Sequence, residues 1–386
     1  METVRYLVVG GGMTGDAACK GIRDHDADGS IVLVGAETHP PYKRPLLTKG
    51  LWKGGDEAKL WRGTEKLGVD LRLGRRIVAL DLDERRATDD TGEEYGYEKV
   101  LLATGGHPRR LGGDDDEVVY YRTLDDYRTV RALADRGGSF VVIGGGFIGS
   151  ELSASLSANG AKATMVFPEA GISARLFPPE LSAFVSDYYR EHGVEVLAGE
   201  KVEGVEGTTV TTGSGRTLEA DKVVAGLGII PNTELAEASG LPVDDGIVVD
   251  EYGRAGSRDE VFAAGDVASF PIAALGRRYR IEHEDHANMH GRVVGANMAG
   301  AETPYDHIPF FYSDLFDLGY EAIGEVDSRL ATVEQWAEPN RKGVVAYVDD
   351  DRRPRGYLLW NTWDKVDAAR ERIRAGEPVD DSQPLV

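Results

Sequence analysis

A single cysteine, Cys19, stands in a chain of 386 residues, which excludes an intramolecular disulfide as staple or redox centre and excludes a thiolate metal cluster. Its place a few residues into a predicted helix reads as a buried, inert thiol. Positive charge is scarce: 44 Lys and Arg face 66 Asp and Glu, a formal net charge of -22 that repels phosphate backbones and anionic lipid. No nucleic acid and no membrane is therefore expected as a partner. No apolar run approaches the roughly 20 residues of a membrane helix. Met1-Glu2-Thr3-Val4-Arg5 runs directly into a short apolar strand without a signal-peptide pattern, so a cytoplasmic chain is expected. Lysine is rare even among the basic residues, 12 against 32 arginines, and acids cluster at Asp114-Asp115-Asp116-Glu117, Asp349-Asp350-Asp351 and Asp380-Asp381. These runs read as solvated surface of a halophilic kind.

Glycine, by contrast, is abundant at 49 residues, and it recurs twice in one arrangement. Tyr6-Leu-Val-Val-Gly10-Gly-Gly12-Met13-Thr14-Gly15 is an apolar strand entering G-x-G-x-x-G, followed by a helix-compatible stretch, a second strand Ile31-Val-Leu-Val34 and Glu37. Gly10 permits the tight turn, Gly12 lets backbone approach a pyrophosphate, and Gly15 lets helix and strand pack. Glu37, 22 residues beyond Gly15, can accept from ribose hydroxyls. The plan repeats at Phe140-Val-Val-Ile-Gly144-Gly-Gly146-Phe147-Ile148-Gly149, with a helix over 150–159, strand Lys162-Ala-Thr-Met-Val-Phe167 and an acid at Glu169. Each copy is followed by a hairpin-like stretch (76–96, 201–218) and an apolar strand, Lys99-Val-Leu-Leu-Ala-Thr104-Gly105 or Lys222-Val-Val-Ala-Gly-Leu-Gly228. A lone glycine turn can serve packing alone, but two complete copies imply two dinucleotides. Val261-Phe-Ala-Ala-Gly265-Asp266 then reads as a strand whose terminal Asp266 faces a dinucleotide, the alternative being a helix cap.

Thr14-Gly15, Pro41-Tyr42-Lys43-Arg44-Pro45, Leu102-Ala-Thr-Gly105 and Ala264-Gly265-Asp266 resemble the FAD- and NAD-dependent reductases of the glutathione reductase superfamily. Within it, Tyr42-Lys-Arg-Pro-Leu-Leu-Thr-Lys49-Gly-Leu-Trp52, Gly146-Phe-Ile-Gly-Ser-Glu151-Leu and Phe167-Pro-Glu169 are similar to the branch of oxygenase-coupled ferredoxin reductases and apoptosis-inducing factor. The C-terminal side looks most like the latter, through Gly276-Arg277-Arg278, Glu282-His283-Glu-Asp-His286-Ala, Gly319-Tyr-Glu321-Ala-Ile-Gly324 and Leu359-Trp360-Asn361. One departure is Tyr312 in Phe311-Tyr312-Ser313-Asp314, where that branch usually carries Trp.

The fold expected is α/β: two Rossmann-like dinucleotide-binding domains, for FAD and NAD, plus a C-terminal α+β domain. The resemblance implies an FAD domain over 1–122 and 242–300, an NAD domain over 123–241 and a C-terminal domain over 301–386. Beyond the glycines, it implies FAD contacts at Met13, Thr14, Arg44, Val78, Thr104, Gly105 and Arg122, and at Glu282, His283 and Tyr312 near the flavin. It sets Lys49 and Glu151 as a charged pair beside the isoalloxazine; stripped of that context they read as a surface lysine and a helix-face acid. Phe147 is implied beside the nicotinamide, its alternative being a core aromatic, with Ile148, Gly228, Glu321 and Asn361 as further NAD contacts. Glu169 lies 20 residues beyond Gly149 and favours NADH by repelling a 2'-phosphate, although Arg175 leaves some tolerance of NADPH. No metal is expected, because His283 and His286 lack a third-ligand pattern.

The activity implied is hydride transfer from NADH to FAD and onward transfer of electrons to a ferredoxin-like carrier. Two alternatives stay open: an apoptosis-inducing-factor-like oxidoreductase using quinone or oxygen, and a redox-responsive binding protein. A homodimer is compatible with each. An acidic ferredoxin would be repelled unless salt screens the field or Arg277, Arg278 and Arg280 cluster.

Overall fold

The computed structural model describes residues 3–112 and 117–386, so Asp114, Asp115 and Asp116 of the first acid run, and Met1 and Glu2 of the opening segment, lie outside the described residues. Packing divides the chain into two compact units, Met1–Arg44 with Asp56–His107 and Ile230–Pro309, and Pro45–Gly55 with Pro108–Ile229 and Phe310–Val386.

The first unit is built on a sheet ordered Asp70–Leu73, Ile31–Gly35, Thr3–Val9, Glu94–Leu102, Arg86–Asp89, Ile77–Asp81, with Val261–Ala263 also paired to Glu94–Leu102. Its centre is parallel, and Val9 lies opposite both Val34 and Leu102 while Ala263 lies opposite Leu102. Those strands therefore end level, and the segments that follow them converge on one rim, where a doubly wound sheet binds its ligand. Tyr6 to Val9 and all of Ile31–Gly35 are buried, the continuous apolar pattern of strands covered on both faces. Helix Met13–His25 meets helix Glu284–Met298 so closely that a Cβ on Gly295 would fall 2.1 Å from the Ala18 carbonyl oxygen.

In the second unit a parallel sheet runs Val194–Ala198, Lys162–Phe167, Ser139–Ile143, Lys222–Ala225, Val119–Tyr120. A separate antiparallel sheet runs Phe310–Leu315, Leu318–Gly324, Pro354–Trp360, Lys342–Val348, Ala331–Glu338. Buried aromatics weld the two: Phe177 lies edge-on to Tyr320 at 5.2 Å and to Trp360 at 5.3 Å, and Tyr347 donates to the Leu176 carbonyl at 2.6 Å. Segment Pro45–Gly55 is held here as well, by Tyr121 donating to the Leu47 carbonyl (2.5 Å) and Ser155 donating to the Thr48 carbonyl (2.8 Å). Packing thus groups residues otherwise than the division by cofactor, because aromatic burial joins segments distant in sequence. Asp350, Asp351, Asp380 and Asp381 are exposed, as a solvated acidic face requires. Among the described residues no helix is long and apolar enough to cross a membrane.

Candidate functional sites

Both glycine turns form, and their backbones nearly superimpose in torsion. Gly12 caps helix Met13–His25 at φ -85, ψ -170, and Gly146 caps helix Phe147–Ala158 at φ -86, ψ -161, neither with a side-chain cap. Gly10 and Gly144 turn at φ +127 and +119, and a Cβ there would collide with Ala103 O (2.1 Å) or Gly226 O (2.4 Å). At Gly12 and Gly146, by contrast, a Cβ would meet nothing within 4 Å. The first N–H groups of a helix lack intrahelical acceptors and carry the positive end of its dipole. Two helix N-termini without caps, each opening onto space bared by a missing side chain, fit two pyrophosphates.

In the first unit Glu37 and Arg44 are not separate donors and acceptors but partners. Tyr42 donates to Glu37 at 2.6 Å, Arg44 donates to the other Glu37 oxygen, and Arg44 donates to the Tyr42 hydroxyl at 2.9 Å. Burial opposes the charge of Arg44, but Tyr42, Glu37 and Asp266 outweigh it and hold the guanidinium above its ordinary value. That same influence brings Asp266 electrostatically onto Arg44. Val78 is exposed on Ile77–Asp81. Thr104 and Gly105 are clamped by Asn232, which sequence reasoning missed: its carbonyl accepts from Thr104 (2.8 Å), its side chain donates to the Thr104 carbonyl (2.7 Å) and its N–H donates to Gly105 O (3.0 Å). Only Pro231-Asn232, at the return into the first unit, hinted at it.

His283 caps helix Glu284–Met298 through its backbone, and Glu282 accepts from Arg280 at 2.5 Å. Arg277, Arg278 and Arg280, whose clustering would offset the repulsion of an acidic ferredoxin, are mostly engaged within the unit. Arg278 donates to carbonyls of Val249 and Ser269, Arg280 pairs with Glu282 and Asp245, and Arg277 lies over the Tyr279 ring. Among the described residues no three His, Cys, Asp or Glu gather as metal ligands.

In the second unit Glu151, five residues into its helix, is 5 % exposed and takes three donors: Lys49 Nζ at 2.7 Å, Thr48 at 2.5 Å and Ser313 at 2.6 Å. Thr48 and Ser313 were not anticipated as its ligands, since nothing local links residues so distant in sequence. Lys49 also sits 4.8 Å above the Tyr312 ring, whose residue is 37 % exposed, and Phe147 packs edge-on to Phe311 at 4.9 Å. A charge pair so enclosed survives desolvation only because hydrogen bonds fill the remaining lone pairs.

Ile148 and Gly149 complete the second turn, and Gly228, at φ +83, has open space beside it. Glu169 repeats the Glu37 arrangement: Arg175 donates to it at 2.6 Å, with the arginine side chain 84 % exposed. Glu321 has one buried carboxylate oxygen without a partner, and burial, with Asp364 adding repulsion, pushes its pKa up against Arg370. An orphaned acceptor of this kind fits a ligand hydroxyl or amide. Asn361, at φ +46, is occupied in tying strands, accepting from Gly319 N–H at 2.8 Å and donating to Arg341 O at 2.8 Å. Arg122 has its N–H on Asp126 at 3.0 Å. Cys19 is buried, and burial pushes its thiol pKa up.

Residues 4–291 match the family described as pyridine nucleotide-disulphide oxidoreductase, and residues 294–341 match apoptosis-inducing factor, mitochondrion-associated, C-term. The chain is 33% identical over 432 residues to apoptosis-inducing factor 1, mitochondrial, of Dictyostelium discoideum, covering 100% of this chain and 81% of that protein. It is 33% identical over 398 residues to the ferredoxin--NAD(+) reductase component of the anthranilate 1,2-dioxygenase system of Burkholderia cepacia, covering 99% and 97%. Among solved structures, a chain of the covalent putidaredoxin reductase-putidaredoxin complex matches with TM-score 0.91 at 30% identity, covering 98% of this chain and 95% of that one.

Proposed function

This chain belongs to the pyridine nucleotide-disulphide oxidoreductase family and is an FAD-dependent NAD(P)H oxidoreductase with one cysteine, and we propose that NADH is its reductant and a ferredoxin-type protein its acceptor. The observation that carries the reading is the pair of matched, uncapped glycine turns, open at Gly12 and Gly146. FAD, when bound, accepts the nicotinamide hydride and releases electrons onward. The first turn would hold FAD, with Asp266 and the Glu37–Arg44 pair as polar contacts and Asn232 fixing Thr104-Gly105 behind them. Gly144, Gly146 and Gly149 would hold the nicotinamide dinucleotide, with Glu169 at its adenosine ribose and Phe147 and Glu321 toward its reacting end. Lys49 and Glu151 supply a fixed positive charge with its desolvation compensated, which suits stabilising a developing negative charge during hydride transfer.

Glu169 supports NADH, since a carboxylate repels a 2'-phosphate, and the Arg175 pair tempers that preference. Similarity to two ferredoxin-linked reductases supports the acceptor. The net charge of -22 argues for operation in salt, where at 1 M the Debye length is about 3 Å. The match at 294–341 favours a second reading, in which quinone or oxygen takes the electrons. The deciding experiment assays NADH oxidation against ferredoxin, quinone and oxygen at low and molar salt. Fast, salt-promoted ferredoxin reduction supports the first reading; turnover with quinone or oxygen alone sinks it.

A further inference from the structure

Helix Glu284–Met298 carries two imidazoles one turn apart, His286 and His290, both fully buried and neither needed by the chemistry proposed above. His290 Nδ1 accepts from Gly265 N–H at 3.3 Å. Gly265 opens the turn that delivers Asp266, and its left-handed φ of +75 and a Cβ position only 2.1 Å from Thr14 Oγ1 press that turn onto the first glycine loop. The imidazole thus holds the N–H of the Gly265-Asp266 turn, while Gly291 beside it on the same helix packs against Thr14, where a Cβ would fall 2.6 Å from the Thr14 carbonyl oxygen.

An imidazole accepting at Nδ1 is neutral and carries its proton on Nε2. His290 Nε2 is buried without a partner. Around the ring stand Tyr305, stacked at 4.5 Å, Phe270 at 5.0 Å and His286 at 4.8 Å. His286 in turn has Nδ1 3.0 Å from the Tyr305 hydroxyl, and the Gly265 backbone acts on it as well, as a hydrogen-bonding influence that favours its proton. Further out, His283 and His307 act on His286 as additional positive influences, and Asp285 is taken by His307 at 2.5 Å. Burial holds the His290 pKa down, at about 3, and the charge of either imidazole disfavours that of the other. Protonating His290 would set its Nδ1–H against Gly265 N–H, donor against donor, and remove the restraint on the turn.

We propose that His290 is a positioning residue of the flavin site, whose neutral Nδ1 fixes the Gly265-Asp266 turn and whose protonation releases the cofactor in acid. The proposal rests on the reading of the first unit as the FAD site. His286 and Tyr305 act as the dry wall that keeps the ring neutral and oriented.

The test uses the full chain reconstituted with FAD, in the parent, His290→Leu and His290→Asn forms, the last offering an amide oxygen where Nδ1 accepts. Free FAD is followed by its fluorescence after dilution from pH 8 to a series of values down to pH 2.5, spanning the His290 pKa, with circular dichroism at each pH separating release from unfolding, and the flavin midpoint potential is measured at pH 8. Losing a buried acceptor should weaken FAD binding in His290→Leu by about tenfold or more at pH 8. His290→Asn should bind within about threefold of the parent at pH 8. It should also keep its potential and lose the acid-triggered release step. Parent-like affinity in His290→Leu, or an unchanged acid profile in His290→Asn, would overturn the proposal while leaving the FAD site standing. A parent chain that takes up no FAD would overturn the site reading itself.

Discussion

Glu151 holds Lys49 Nζ at 2.7 Å from a position only 5 % exposed, with Ser313 donating to the same oxygen and Thr48 to the other. The pair can therefore be taken apart by chemistry and by stability separately. Lys49→Met should slow reduction by NADH by about 100- to 1000-fold, the range for removing an electrostatic stabiliser. Glu151→Gln leaves the ammonium enclosed without its counter-charge and should cost about 3–5 kcal/mol of stability. The double variant should recover most of that stability and none of the rate. Stopped-flow reduction and thermal melts check this; a double variant as unstable as Glu151→Gln would refute the pairing argument.

Glu169 and Arg175 form the outer pair, and the exposed arginine is free to turn once its partner is gone. Glu169→Ala should lower the ratio of kcat/KM for NADH over NADPH by about tenfold, or 1.4 kcal/mol. Adding Arg175→Ala should withdraw whatever NADPH use was gained. Equal use of both nucleotides by the parent would remove the basis for this assignment.

The nucleotide frame was legible in the sequence because it is local: Gly10, Gly12 and Gly15 answer to backbone torsion and close approach, and the same demands recur at Gly144, Gly146 and Gly149. Pairings across the chain were not. That Arg44 would turn back onto Glu37, or that Arg278 would spend its donors on the Val249 and Ser269 carbonyls, depends on loop paths that no periodicity encodes. Lys49 and Glu151 are more than a hundred residues apart, and only the family resemblance brought them together. The seating of Phe177 edge-on against the stacked Tyr320 and Trp360, which joins the second parallel sheet to the C-terminal one, was hidden for the same reason. Asn232 carried no signal beyond its place after Pro231, and His290 none beyond residue type.

Glu321 is a carboxylate whose pKa is raised by burial and by Asp364. The folded state then binds a proton more tightly than the unfolded chain, so Glu321 stabilises the fold in acid and that contribution is lost as pH rises through its folded pKa. Removing the charge with Glu321→Gln should raise the melting temperature at pH 8 and have little effect at pH 4. If the buried oxygen receives a nicotinamide-nucleotide donor, the same variant should bind NAD more weakly. Melting curves at the two pH values, with NAD titrations, separate the effects; a lower melting temperature at pH 8 would show that the carboxylate is compensated in the fold.

The electron capacity of the enzyme follows from its single thiol. Relatives that reduce disulfides need a cysteine pair beside the flavin, whereas Cys19 is buried in helix Met13–His25, its pKa is pushed up by that burial, and it has no partner. Leu46, Leu47 and Thr48, preceding Lys49, carry no sulfur. Ellman's reagent should accordingly find no reactive thiol in the native protein and one after unfolding. An anaerobic titration should bleach the flavin completely at about one NADH per FAD, because the cofactor is the only two-electron store. Cys19→Ala should keep that stoichiometry and the rate of bleaching, at a modest loss of stability from a small buried cavity. A requirement for two NADH per FAD, or a Cys19→Ala protein that folds and holds FAD yet is not reduced, would bring the thiol into the mechanism and overturn the flavin-only reading.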